Sequence, residues 1–553
     1  MKKRIYLPVI LIVLLAAAGC KKYVDKRLLD QFEDETFWRS EDNVRLYTWG
    51  FYELFPGYGN GNSFGDFYFT SFSDDQASPT FGRFTQNVPA SASTWDFSYV
   101  RKANIMLERI NQVPMPDEAK NHWKGVARFF RALTYFARVK DYGDVPWLGR
   151  SMDISDSAYI YKSRDPRTQV MDSVLADLDY ACENIRLKDQ ENTINRYIAL
   201  ALKSRVCLYE GTWRKYHDKP QPLPDAAKFL AAAKDAASKM MEGPYALNSD
   251  YVTTYNSLDL GGSKEVLLYK KYLPGYLTHS LIGYLTSSTQ MAGPNKSAID
   301  AYLCQDGLPI SLSSLYKGDD DIKNTLANRD PRMSKTIDSL LCYNGHLVSG
   351  RSSSTGYRPA KFLQPAVANV LAPYNDTDAP LFWLAEVLLN YAEAAAELNN
   401  LGQYSFSQTD LDISVNKLRK RAGMPDLQYL SGEQVAAKGV SYTDPKKDPT
   451  VPSLIWEIRR ERRIELMMDG FRFQDLMRWG KGSYMTISIN PDITKGAKVP
   501  ANGAVTRDAN GYITPYPAGT DRTFIDPKNY LQPIPSGQIS LYPNGNLSQN
   551  PGW

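Results

Sequence analysis

Apolar residues three and four positions apart recur along this chain in paired runs, and that pairing limits the fold more than any single motif does. Asn121 to Tyr142 sets Trp123, Val126, Phe130, Leu133 and Ala137 on one stripe, with Arg128, Arg131 and Arg138 mostly off it. The run stops at Gly143, with Pro146 beyond, as a helix exit does. A helix over Trp95 to Ile110 is expected before it. Thr168 to Ile185 and Thr193 to Tyr216 form a second pair, and Ala226 to Met241 adds an Ala-rich helix. Pro380 to Leu398 and Thr409 to Arg421 form a third pair, followed by helices over Val451 to Asp469 and Phe471 to Trp479. The contact faces combine small and bulky residues, as in Ala132/Leu133/Phe136, Ala199/Leu202/Leu208 and Ala385/Leu388/Tyr391. Helix pairs stacked through such contacts are how tetratricopeptide (TPR) arrays bury what one pair cannot. The strict repeat consensus is absent, so TPR-like packing in a mainly α fold is the expectation.

Long stretches between the helices carry Gly, Pro, Ser, Asn and aromatics instead of helical periodicity: Gly57 to Asp96, Pro244 to Ile299, Asn344 to Ala379 and Gly480 to Trp553. Loops of this length are functional or are ordered by packing on a scaffold. Glu265 to Tyr269 reads as a short strand among them.

The first twenty residues read as an export signal. Lys2-Lys3-Arg4 is cationic, Ile5 to Ala18 is apolar, and Ala17-Ala18-Gly19 leads into Cys20. Fourteen apolar residues reach roughly 21 Å, short of the ~30 Å hydrocarbon core. A cysteine directly after small residues is the pattern of a bacterial lipoprotein, so Cys20 is expected to be acylated and to tether the chain. An ordinary secretory signal with an incidental cysteine is the alternative. The net charge of +4 falls to about +1 without the three signal cations, so no basic field points to nucleic acid. Cys182, Cys207, Cys304 and Cys342 form no CxxC pair and read as buried thiols, a disulfide being the alternative. No HExxH, GxSxG, Walker or dinucleotide motif is present; Asp319-Asp320-Asp321 lacks the alternation of a calcium loop, and no cofactor is implied.

The most specific stretch is Arg459 to Gly480, RRERRIELMMDGFRFQDLMRWG. Glu461 and Glu465 share a helix face, as paired glycosidase carboxylates must share a site. Among Arg459, Arg460, Arg462 and Arg463 they read instead as ion-pair partners, and Arg332 and Arg478 as arginines tying loops to helices. This stretch resembles the C-terminal signature of the SusD/RagB family, outer-membrane nutrient-binding lipoproteins of Bacteroidetes. Further matches run in family order: Phe129 to Phe136 with Tyr142 to Pro146, Asp306 to Ile310, Asn328 to Arg332, Gly356-Tyr357 with Lys361-Phe362, Ala379 to Ala394, Asn416 to Gly423, and the ending Pro533-Ile534-Pro535 with Gln549 to Trp553. The resemblance implies a SusD-like fold of four TPR-like helix pairs supporting a loop-rich ligand face with minor short strands. Residues 1–19 would be the signal, 20–243 an N-terminal region carrying loop 57–96, and 244–553 a C-terminal region. It also implies no catalysis, a lipid-anchored place on the outer membrane facing outward, and a SusC-like TonB-dependent transporter as partner.

Family ligands are oligosaccharides, with peptides a second possibility, and their contacts come from variable loops, so site residues rest on chemistry alone. Sugar C–H faces stack on aromatics while hydroxyls need planar polar groups. Asp74, Asp75, Phe81, Arg83, Phe84 and Trp95 offer that mixture in one Gly/Ser-rich loop, and Tyr276 and Tyr284 in a second. A peptide binder, a TPR-type assembly scaffold and a lipid-anchored glycan hydrolase are the alternatives to a surface glycan-binding protein.

Overall fold

The computed structural model describes residues 37–153, 155–217, 225–348, 350–501 and 503–553. Cys20 and the export signal lie outside the described residues.

The longer helices are α1 (Glu41–Trp49), α2 (Ser98–Arg109), α3 (Asp117–Tyr142), α4 (Arg167–Asn184), α5 (Arg196–Tyr216), α6 (Ala226–Met241), α7 (Leu384–Asn400), α8 (Val415–Ala422), α9 (Ser453–Glu465) and α10 (Arg472–Arg478). Their ends follow local chemistry. α3 opens with Asp117 and Glu118 at its positive end and stops at Gly143, whose φ of 73° suits glycine. Asn195 caps α5 by accepting the Ile198 N–H at 3.1 Å. α2 begins at Ser98 rather than Trp95, because the Asp96 carboxylate takes the Ser98 N–H at 2.9 Å.

The helices stack as the periodicity implies, α2 on α3, α3 on α4, α4 on α5 and α5 on α6. Close approach is built in: a Cβ on Gly211 of α5 would lie 2.7 Å from Leu230 of α6. One pairing differs from expectation. The partner of α7 is α6, from far earlier in the chain, and not the segment Thr409 to Arg421. α7 is buried all round from Leu384 to Leu398, so it must be covered on several sides, and α5, α6 and α9 do this. Residues 408–422 break into Gln408–Asp412 and α8, where Ser414 leaves helical backbone.

Small sheets carry the rest. Val266–Lys270 (β1) pairs antiparallel with Ala379–Trp383 (β2), so the helix expected from Pro380 starts at Leu384. Gln76–Ala77 pairs with Gly293–Pro294, joining the first long loop to the second. A meander over Leu427–Leu430, Gln434–Ala437 and Val440–Tyr442 occupies a stretch without sequence periodicity. Most buried apolar residues form one core along the helices; a smaller one gathers Leu411, Leu427, Leu454, Ile455 and Ile458 under the meander. Among the described residues no helix is long and apolar enough to cross a membrane.

Candidate functional site

The arginine-rich stretch works as a hub. Glu461 takes Arg332 at 2.6 Å and Arg419 at 2.9 Å, and Glu465 takes Arg332 at 2.9 Å and also Arg421. Both carboxylates are fully buried and committed to guanidinium groups. Arg472 grips Asp74 through two parallel bonds of 2.7 and 2.8 Å, and Arg463 binds Asp75 at 2.7 Å. The first long loop is thereby clamped onto α9 and α10, and Asp74 and Asp75 sit 1% and 3% exposed. Burial pushes the Asp74 pKa up, but Arg472 and Arg463 outweigh it and hold the group at about 2 against an ordinary 3.8. The unfolded chain therefore takes up this proton first on acidification. The Asp74 part of the clamp's stabilisation is present above about pH 4 and lost as pH falls toward 2, whereas burial raises the Asp75 pKa and gives that group no such acid loss. Melting temperature should drop more steeply over that range in the wild type than in Asp74→Asn; parallel curves would refute it.

Phe81 and Arg83 stay together at the surface. The Phe81 ring meets Tyr516 edge-on at 4.8 Å, and Arg83 lies 5.0 Å over Phe81 while donating to the Asp521 carbonyl at 3.0 Å. Phe84 and Trp95 are core residues instead. Phe84 packs edge-on against Phe72 and Phe524, and Trp95 against Tyr142 at 4.9 Å. Arg83 and Phe84 line a cavity of only 130 Å³ beside Trp553. Phe84→Ala is expected to cost about 3–5 kcal/mol of stability, as buried aromatic truncations do, and Phe81→Ala far less. Urea unfolding compares the two.

A third cluster contains the most exposed aromatics. The hairpin Gly59–Asn60/Ser63–Phe64 projects Phe64, 59% exposed, which stacks on Phe69 with centroids 4.7 Å apart. Tyr284 stands edge-on to both, at 5.2 and 5.8 Å. Gly59 (φ 107°) is required here, since a Cβ would lie 2.1 Å from the Ser63 carbonyl oxygen. The hairpin is tied to the second loop by Gly61 N–H donating to Thr278 at 2.8 Å and Ser280 Oγ to Gly61 at 2.6 Å. In that loop Tyr276 is 87% exposed. Gly283 packs on Ala372, beside the exposed Leu371 and Tyr374. Phe64, Phe69 and Tyr284 thus form one aromatic stack, with Tyr276 and Tyr374 exposed on the two loops that pack beside the hairpin. Tyr276 and Tyr284 were legible as candidates. Phe64, Phe69 and Tyr374 were not, although aromatics spaced by Gly and Asn over residues 57–69 are the signal that could have found the first two.

Among the described residues no group of His, Cys, Asp and Glu could hold a metal ion. The thiols of Cys182, Cys207, Cys304 and Cys342 are free, and burial pushes Cys182 up to about 12.

A stacked helix-pair scaffold carrying a loop-built aromatic face defines the class. Residues 283–553 match the model of the SusD family, and residues 64–208 match one described as starch-binding associating with outer membrane. The chain belongs to the SusD/RagB family. It is 23% identical to SusD-like protein P38 of Formosa agariphila, over 87% of this chain and 92% of that one. A SusD-like carbohydrate binding protein from Bacteroides fragilis superposes with a TM-score of 0.70 at 23% identity, covering 91% of this chain and 99% of the other. Surface glycan-binding protein A from Bacteroides fluxus superposes with a TM-score of 0.60 at 18% identity, covering 93% and 100%.

Proposed function

We propose that this protein captures oligosaccharides at the cell surface on the face formed by Phe64, Phe69, Tyr284 and Tyr276, and passes them to a SusC-like TonB-dependent transporter. The observation that carries this reading is the exposed stack of Phe64 on Phe69 with Tyr284 edge-on. Flat apolar rings at a surface suit the C–H faces of sugars, and the hairpin and loop ties hold them ready without a ligand. The names of the solved relatives, one carbohydrate binding and one glycan-binding, support the same class of ligand. Lipidation of Cys20 would tether the body to the outer membrane, the association that one matching family model is described by.

Isothermal titration against a panel of polysaccharide digests and a peptide digest tests the ligand class. Saccharide binding with no peptide response is expected, and the reverse would overturn the reading. Protease added to intact cells should digest the protein, and co-purification from solubilised outer membrane should bring down a transporter. Full protection, or purification of the body alone, would remove those parts of the proposal.

A further inference from the structure

Away from the aromatic face lies a much larger cavity of 580 Å³, within the usual range for small-molecule sites of roughly 300–1,000 Å³. One wall is α9, from Trp456 through Arg459 to Arg463; the others are the 444–449 loop, residues 297–301 and 309–311, Arg472 and the segment around Tyr484. Its charges are unevenly used. The lining carboxylates each face a cation: Asp74 Arg472, Asp444 Arg460, Asp448 Lys481, Asp300 Lys296 and Asp492 Lys495.

The guanidinium groups are not used up in return. Arg459 is 5% exposed, and its Nε has no hydrogen-bond partner. Its Nη2 reaches Glu397 at 3.0 Å, but that buried carboxylate also takes Lys215 at 2.6 Å, so two cations share one negative charge. Arg463 and Arg472 bind their aspartates through Nε and Nη2, and among the described residues Nη1 of neither makes a hydrogen bond. Lys447 lines the same cavity and among the described residues donates only to the main-chain carbonyls of Asp448 and Val451. A buried guanidinium donor without an acceptor, as the Arg459 Nε is among the described residues, is costly, and a carboxylate or sulfate supplies oxygens in the geometry that it and the half-buried Arg463 and Arg472 match.

Three rings line the cavity, Trp456, Tyr484 and Trp479, each held by its polar end, Trp479 through Glu393. Trp456 donates to Asp444 at 3.4 Å and Tyr484 to Asp448 at 2.6 Å, with Arg460 5.9 Å over the Trp456 ring and Lys481 5.8 Å over the Tyr484 ring, so each of these two rings has one further face to offer an apolar surface. We propose that this cavity is a second ligand site, for an acidic sugar unit whose carboxylate or sulfate meets Arg459, Arg463 and Arg472 and whose ring packs on Trp456 and Tyr484. The sugar part of the proposal rests on the carbohydrate-binding reading above; the anion part rests on the donors alone.

The full chain in detergent should be titrated with a uronate disaccharide, a sulfated disaccharide, their neutral parents, and a dipeptide with a free C-terminal carboxylate. Acidic disaccharides are expected to bind at least about tenfold tighter than the neutral ones, as charge-assisted hydrogen bonds allow. Lys447→Gln should weaken acidic binding by about fivefold or more with the melting temperature retained, and Trp456→Ala, whose ring also packs on the smaller core, by as much at a temperature where melting shows it folded. Phe64→Ala should leave acidic binding unchanged, which separates this site from the aromatic face. Equal affinity for acidic and neutral sugars, no acidic binding, or acidic binding indifferent to Trp456→Ala and Lys447→Gln would overturn the site. Binding of the dipeptide alone would overturn the sugar and keep the anion. Loss of neutral binding everywhere, with acidic binding intact, would count against the aromatic face only.

Discussion

Arg478→Met is expected to destabilise the protein by about 3–5 kcal/mol, the cost of leaving a buried charge without its partner. The Arg478 guanidinium holds both oxygens of Glu393 at 2.6 and 2.7 Å, reaches Asp475 at 2.9 Å and donates to Thr212 Oγ1 at 3.1 Å. One side chain therefore joins α5, α7 and α10. Methionine keeps the apolar stem and removes only the head, so the loss is one of charge and not of volume. Asp475 retains Arg462 at 2.8 Å, whereas Glu393 keeps only the Trp479 indole N–H. Arg478→Met combined with Glu393→Met should recover most of the loss, because burying two apolar chains of similar size avoids desolvating the pair. Urea midpoints at unchanged slope measure both variants. A single substitution costing under about 1 kcal/mol would show that the hub is not what joins these helices.

That hub shows what can be read from the chain and what cannot. Four arginines beside Glu461 and Glu465 already read as ion pairs, since carboxylates among guanidiniums on one helix have no cheaper alternative. Their partners were out of reach: Asp75 is 388 residues from Arg463, and nothing local announces the contact. Asp74 and Asp75 in a Gly/Ser-rich loop read as ligand contacts for the same reason, although both carboxylates lie beneath the surface and are held by Arg472 and Arg463. Helices came through well because periodicity is a property of each segment. The pairing of α7 did not, because periodicity says which face is buried and leaves open which helix covers it. Aromatics show the limit most clearly. Phe64 and Phe67 are three residues apart in one Gly-rich run, yet Phe64 is 59% exposed and Phe67 4%. A positive φ of 58° at Phe67 turns the chain so that one ring enters the core and the other leaves it. No pattern of residue types carries that turn.

Phe64→Ala is expected to weaken oligosaccharide binding by about 2 kcal/mol, roughly thirtyfold in Kd, the scale of an aromatic anchor at the centre of a binding surface. Stability should fall by only about 0.5 kcal/mol, as at exposed positions without a special backbone role. The hairpin position that tolerates no Cβ is Gly59, and it is untouched. Tyr284→Ala should weaken binding too, but for a second reason: its edge-on contacts of 5.2 and 5.8 Å hold Phe64 and Phe69 in place. The two substitutions should then be less than additive, since whichever comes first already disorders the stack. Strict additivity would mean that the rings act as separate contacts and not as one platform. Tyr276, 87% exposed and in no ring contact among the described residues, is the internal control. Tyr276→Ala should add independently to Phe64→Ala if the sugar reaches both loops. Unchanged affinity in Phe64→Ala, measured by titration with the fold verified by melting, would take the ligand off this face altogether.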